Sequence, residues 1–161
     1  MRLIERIMER AGYKREIDRD SGLTFFIEMD VAADQVSLII DEPLSWEQLF
    51  YGHHLLEGNL DSKKQILLKL AAYLEPQRER LDKINGRLCA RIFGALNRLN
   101  IRHNNTESSS KNYNKQFDDL DKEEQEQVYD TVYHLLLLGF LELEYAEGGA
   151  YIDSLLGRSR D

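Results

Sequence analysis

Cysteine is almost missing from this chain: Cys89 is the single one among 161 residues. One thiol cannot close an intramolecular bridge, so a disulfide scaffold is excluded and a reducing, cytoplasmic setting is expected. Proline is nearly as scarce, with two residues, and ten glycines leave little material for long linkers. Long apolar runs are also lacking. The richest stretch, Leu135 to Leu141, is far below the roughly 20 residues a membrane span needs, so no membrane partner is expected. The opening residues MRLIERIMERAG mix charges with their apolar positions and do not read as a signal peptide. Neither GxGxxG nor a phosphate-loop fingerprint occurs, and the nucleophile-elbow pattern GxSxG is absent too. Metal-ligand spacings such as CxxC or HExxH are missing as well. The adjacent His53 and His54 would point about 100° apart on a helix and cannot chelate one ion together. Neither metal nor cofactor is expected.

What remains has the balance of a folded globular chain, with 42% apolar and 31% charged residues. At this length one domain can bury a core without staples. The net charge of −8 argues against general nucleic-acid affinity, but it is unevenly spread. Residues 1–60 carry −6, residues 61–115 carry +7, and residues 116–161 carry −9. A basic middle lies between two acidic flanks.

The periodicity predicts a short amphipathic helix over residues 2–10, closed by Gly12. The runs Leu23–Met29 and Gln35–Ile40 read as a hairpin, with a third strand at Tyr13–Ile17. Helices are then expected from Trp46 to about Leu56, capped by Ser45, and from Asp61, with Ile66, Leu67, Leu70 and Tyr73 on its buried face. Pro76 kinks that helix or opens the next one. The next reaches about Arg102 with a core stripe of Leu81, Ile84, Leu88, Ile92, Leu96 and Leu99. Residues 103–118 are a polar loop. Asp121 and Glu124 form a capping box for a helix ending near Leu143, and Gly148-Gly149 breaks the chain before a final turn. The expected fold is mainly α, a four-helix-bundle-like core with a small N-terminal β-hairpin. Residues 1–44 would be an appendage and residues 45–161 the helical domain.

The third of these helices holds the most chemistry. Arg87, Arg91, Arg98 and Arg102 fall within roughly 60° of one another at helical pitch, a row suited to bidentate phosphate contacts. The alternative is a solvated face paired with acids from neighbouring helices. The stripe leads into Leu96-Asn-Arg-Leu-Asn-Ile-Arg-His-Asn-Asn105, where four residues separate Arg98 from His103. Farther on comes Tyr129-Asp-Thr-Val-Tyr133.

This arrangement resembles the Rx4–6H motif of the HEPN superfamily (higher eukaryotes and prokaryotes nucleotide-binding) and abortive-infection-like bacterial proteins, over roughly residues 60–145. The resemblance implies a small helical bundle, frequently a toxin or defence ribonuclease, with a site shared across a two-fold dimer. Its catalytic pair would be Arg98 and His103. An i,i+5 pair diverges by about 140° on an ideal helix, so the helix must end or distort between them. Within that reading the ribose 2′-OH is the nucleophile and no metal is needed. His103 exchanges protons near neutral pH, while Arg98 or Arg102 stabilises the phosphorane. Arg87 and Arg91 hold the strand, and Asn97, Asn100 or Asn104 orients a phosphate or the histidine.

Two functions follow. One is a metal-independent endoribonuclease or RNA-binding toxin of bacterial stress or anti-phage defence, working as a homodimer. The other is a non-catalytic interaction module of the same fold, facing an antitoxin or other protein partner; Leu99, where such ribonucleases usually carry a polar residue, favours it. A winged-helix DNA binder using Leu141–Tyr145 as a strand is disfavoured. Residues 121–145 hold seven acids against Lys122 alone and would repel DNA.

Overall fold

The computed structural model describes residues 2–18 and 21–157. Helix α1 (Arg2–Arg10) leads through Gly12, at φ 87°, into β1 (Tyr13–Ile17), which pairs antiparallel with β2 (Thr24–Glu28). Tyr13 faces Glu28 and Ile17 faces Thr24 in the register. The hairpin is therefore built from the strand expected as its third member, and Gln35–Ile40 is no strand. That stretch is half consumed by helix α2 (Val31–Ser37), whose N-cap Asp30 accepts hydrogen bonds from the amides of Ala32 at 2.9 Å and Ala33 at 3.2 Å. Ala33 and Val36 face the core at helical spacing, with Ile40 just beyond the helix. A short apolar run fits a buried helix as well as a strand, and here the aspartate cap decided.

Helix α3 (Leu44–Phe50) starts one residue before Ser45, which is buried inside it rather than capping it. It ends at Phe50, six residues short of the expected Leu56, and a 3-10 turn (His54–Leu56) follows. Helix α4 (Leu60–Leu74) is capped by Asn59 rather than Asp61, the Asn59 carboxamide accepting from the Ser62 amide at 3.0 Å. Pro76 sits in a 3-10 turn (Glu75–Gln77) that opens α5 (Arg78–Arg98). Asn85 breaks the dihedrals of α5 at φ −146° and ψ 77°; its side chain accepts from the Leu88 amide at 3.0 Å and so caps the second half. Within the loop expected over residues 103–118 lies one short helix, α6 (Lys115–Asp118).

The capping box of α7 (Lys122–Leu155) forms as expected, with Asp121 and Glu124 exchanging hydrogen bonds. The helix does not stop near Leu143. Gly148 and Gly149 lie inside it, because glycine costs only about 1 kcal/mol against alanine in a helix and Ala146, Glu147 and Ala150 are helix formers. Leu141–Tyr145 is thus helical, which removes the strand of the winged-helix reading.

The chain is mainly α with a small N-terminal hairpin, as expected. Helices α2, α4 and α5 each pack against α7; they bury Val132, Leu136, Leu137 and Phe140, which lie within about 140° of one another at helical pitch, while Leu138 on the opposite side is 45% exposed. Leu81, Leu88, Ile92 and Leu96 face the core as expected, joined by Cys89 and Phe93, while Ile84 and Leu99 are half-buried and Tyr73 is exposed. Gly139 marks the closest approach: a Cβ there would lie 3.0 Å from Ile92 Cδ1 and 3.3 Å from Leu74 Cδ2.

Candidate functional site

Helix α5 presents Arg87, Arg91 and Arg98 to solvent. Their offsets of 4 and 11 residues bring them within roughly 40° of one another at 3.6 residues per turn. None of the three has an ion pair among the described residues. Ala90 is exposed on the same face, and a Cβ at the half-buried Gly94 would meet nothing within 4 Å. The face is flat between its arginines.

Arg102 does not belong to that row. The helix ends at Arg98, Leu99 leaves helical dihedrals, and Asn100 takes φ 57°. The chain turns back so that the Arg102 amide donates to the Leu96 carbonyl at 2.9 Å. The Arg102 guanidinium then pairs with Glu75 and lies 5.4 Å from the centroid of the Phe93 ring, which Arg78 also covers at 4.5 Å. The fourth member of the expected stripe is a clamp between the end of α4 and the turn after α5.

The asparagines of the segment shape its loop. Asn100 and Asn105 exchange hydrogen bonds, each side-chain oxygen accepting from the other's amide, at 2.9 and 3.2 Å. Asn105 is 1% exposed and donates to the Asn112 carbonyl. Asn114 donates to the Arg98 carbonyl at 2.8 Å, and Tyr129 Oη to the Asn100 carbonyl at 3.3 Å. Asn104 is occupied as well, its carboxamide oxygen accepting from the Thr106 and Glu107 amides at 3.3 and 3.2 Å. Asn97 is half-buried near the helix end. His103 is exposed on this loop, five residues beyond the last residue of α5 rather than at its terminus. The chain does leave the helix between Arg98 and His103, as a shared site would require. Arg87, Arg91 and Arg98 share a face; Arg102 and Asn104 are engaged elsewhere.

A second cluster escaped the reading of the sequence. Lys63, 7% exposed on α4, meets Glu126 and Asp130 of α7, each at 2.7 Å. Its Nζ lies 5.1 Å from the centroid of the Tyr51 ring, and Tyr51 stacks on Tyr133 at 4.0 Å. Tyr133 Oη donates to the Gln48 carbonyl at 2.9 Å and accepts from Gln48 Nε2 at 2.6 Å. Burial pushes the Tyr51 hydroxyl far above its ordinary range, and the charges of Asp130 and Glu126 add to it. At Glu126 burial acts upward, but the hydrogen bond from Lys63, the Gly58 amide and the Lys63 charge outweigh it and hold the carboxyl below its ordinary value. His53 stacks on Phe50 at 4.4 Å, and its Nδ1 accepts from the Leu55 amide at 3.2 Å. Burial, then the neighbouring His54, lowers its pKa. The legible signal was Lys63 itself, which shares the spacing of Ile66, Leu67 and Leu70 and so occupies a core position. A charge in that register calls for a buried partner.

Comparison with protein-family models, with curated proteins and with solved structures finds no match. Among the described residues no helix is long and apolar enough to cross a membrane.

Proposed function

We propose that this protein binds single-stranded RNA along the outer face of α5, and that Arg98 with His103 cuts it without a metal in a two-fold homodimer of HEPN type. The observation that carries the proposal is the row of exposed arginines, Arg87, Arg91 and Arg98, left without ion pairs among the described residues. In a chain with 29 acids against 21 bases, arginines left over by the protein's own carboxylates are placed for an external anion. RNA supplies the 2′-OH, so the reaction asks of the protein a proton carrier and a cation at the phosphorane. One copy offers a single exposed histidine on this loop, and a second copy would complete a cleft around the phosphate. A cellular role as a toxin in stress or anti-phage defence accords with such an activity.

Replacing all three arginines with alanine should weaken RNA binding and flatten its salt dependence. Each lost phosphate contact removes about 0.7 from the slope of log K against log salt, so the slope should fall by about 2. Cleavage should survive a chelator, leave a 2′,3′-cyclic phosphate, and vanish in His103→Ala while binding persists. Absence of RNA binding by wild type at about 0.1 M salt rejects the proposal. Binding without cleavage, unchanged in His103→Ala, leaves the non-catalytic interaction module. The engagement of Arg102 with Glu75 and of Asn104 within its own loop favours that second reading.

A further inference from the structure

Two helix faces of this chain are apolar and bare. On α7, Leu138, Leu141, Tyr145, Gly148, Ile152 and Leu155 recur at alternating intervals of three and four residues. That is the spacing of a seam that receives a second helix lengthwise. The seam runs for about 26 Å, roughly opposite the buried face of α7. Tyr145 is 76% exposed, and Leu138, Ile152 and Leu155 are exposed with it. The other face is on α1, where Leu3, Ile4 and Ile7 are exposed, Leu3 at 72%, although the helix packs on β1. Both faces lie open to water in the single chain, so neither covers the other there. Contiguous apolar faces of this kind mark contact sites.

Charge complementarity says what covers each of them. Between residues 138 and 156 stand Glu142, Glu144, Glu147 and Asp153 and no lysine or arginine. Arg80 holds Glu147 and Asn85 holds Glu142, whereas Glu144 is exposed without an ion pair among the described residues. Beside the α1 face, Arg6 and Arg10 are exposed and equally without ion pairs among the described residues. At helical pitch the two arginines share one edge of that face, and Glu144 lies about 80° to one side of the α7 seam. In an antiparallel pair, edges of the same hand meet. The arginine edge of α1 then falls on Glu144 and on the exposed Tyr151 farther along that edge. A parallel pair would carry the arginines to Glu142 instead, which Asn85 already occupies. Helix α1 is about 14 Å long and fits within the seam. Pairing two α7 seams would leave both α1 faces bare and their arginines unmatched.

We propose that α1 of one copy lies antiparallel on the α7 seam of a second copy, and that a two-fold axis repeats the contact. The repetition covers both faces of both chains, and two modest patches together approach the roughly 800 Å² per partner of a stable interface. The contact is independent of the RNA reading, since Arg98 and His103 lie outside it. Sedimentation equilibrium of the full chain at roughly tens of micromolar tests it, with a charge exchange that only this pairing answers. Arg6→Glu/Arg10→Glu and Glu144→Arg change exposed side chains, and each variant alone should weaken self-association about tenfold or more. An equimolar mixture of the two should recover wild-type association within about threefold, because every α1 then meets an α7 of opposite charge. Recovery also shows that neither variant has misfolded. A monomeric wild type overturns the proposal and leaves the two faces to a different protein. Unchanged association in either variant overturns it as well, as does a mixture that stays as weak as its components.

Discussion

Lys63 shows how much one side chain can organise. Its ammonium joins α4 to two positions of α7, and no other cation replaces it for Glu126 and Asp130 among the described residues. Removing a buried charge leaves its partners uncompensated, at a cost of about 3–5 kcal/mol when all are buried. Here the Asp130 side chain is 39% exposed, and water can screen it. Lys63→Met should accordingly cost about 2–3 kcal/mol in denaturant unfolding. A cost below about 0.5 kcal/mol would mean that the triad is an ordinary surface pair. Arg102 illustrates the opposite lesson: an arginine that reads as a phosphate ligand in the sequence serves Glu75 and Phe93 instead.

At the scale of the elements, glycine behaves according to what lies opposite it. Gly94 and Gly139 are both interior to long helices, α5 and α7. At Gly94 a Cβ meets nothing, so Gly94→Ala should stabilise by about 0.5–1 kcal/mol through helix propensity. Gly139 lies against Ile92, Leu74 and Leu81 where α4 and α5 cross α7. Gly139→Val adds atoms to a filled space and should destabilise by about 1–3 kcal/mol. Thermal unfolding of the two variants checks the sign of each. If both shift the midpoint the same way, the crossing is looser than the contacts indicate. Around α7 the three helices that pack on it bury one broad apolar face, and Leu138 and Tyr145 on its other side stay exposed.

Over the whole molecule, protonation sets where the fold is most stable. His53 has a lowered pKa in the folded chain, so the unfolded chain binds its proton first. Stability should therefore fall as pH drops below about 6.5. Glu126 is also lowered, which adds a second loss below about 4.3. On the alkaline side Tyr129 is pushed up to about 12 by burial and then the Asp61 charge, outweighing the Asn100 hydrogen bond, and Tyr51 and Tyr133 are raised as well. The unfolded chain releases those protons near pH 10, so stability should decline above that value. Urea unfolding across a pH series should show a plateau between these limits. In His53→Gln the loss between about pH 7 and 5 should shrink. An unchanged acid limb in that variant would assign the titration to another group.

The features legible in the sequence are those made by neighbours in the chain. The capping box of Asp121 and Glu124, helix α1, and the core stripe of Leu81, Leu88, Ile92 and Leu96 all follow from hydrogen bonds or side chains three and four residues apart. Helical periodicity likewise placed Arg87, Arg91 and Arg98 on one face. Other features were decided by contacts across the fold. Whether Gln35–Ile40 became strand or helix depended on Asp30 and on a seat against α7, since the apolar run itself suits both. Arg102 left the stripe because Asn100 and Asn105 close a turn that carries it to Glu75. Lys63 meets its carboxylates across 63 and 67 residues of chain, and ion pairing over such a separation leaves no local periodicity to read. The sequence alone could mark Lys63 as a charge in a core register. Only the packing of α4 on α7 could supply the carboxylates that make its burial tolerable, because the cost of desolvating a charge is met by whatever the fold brings within a few ångströms.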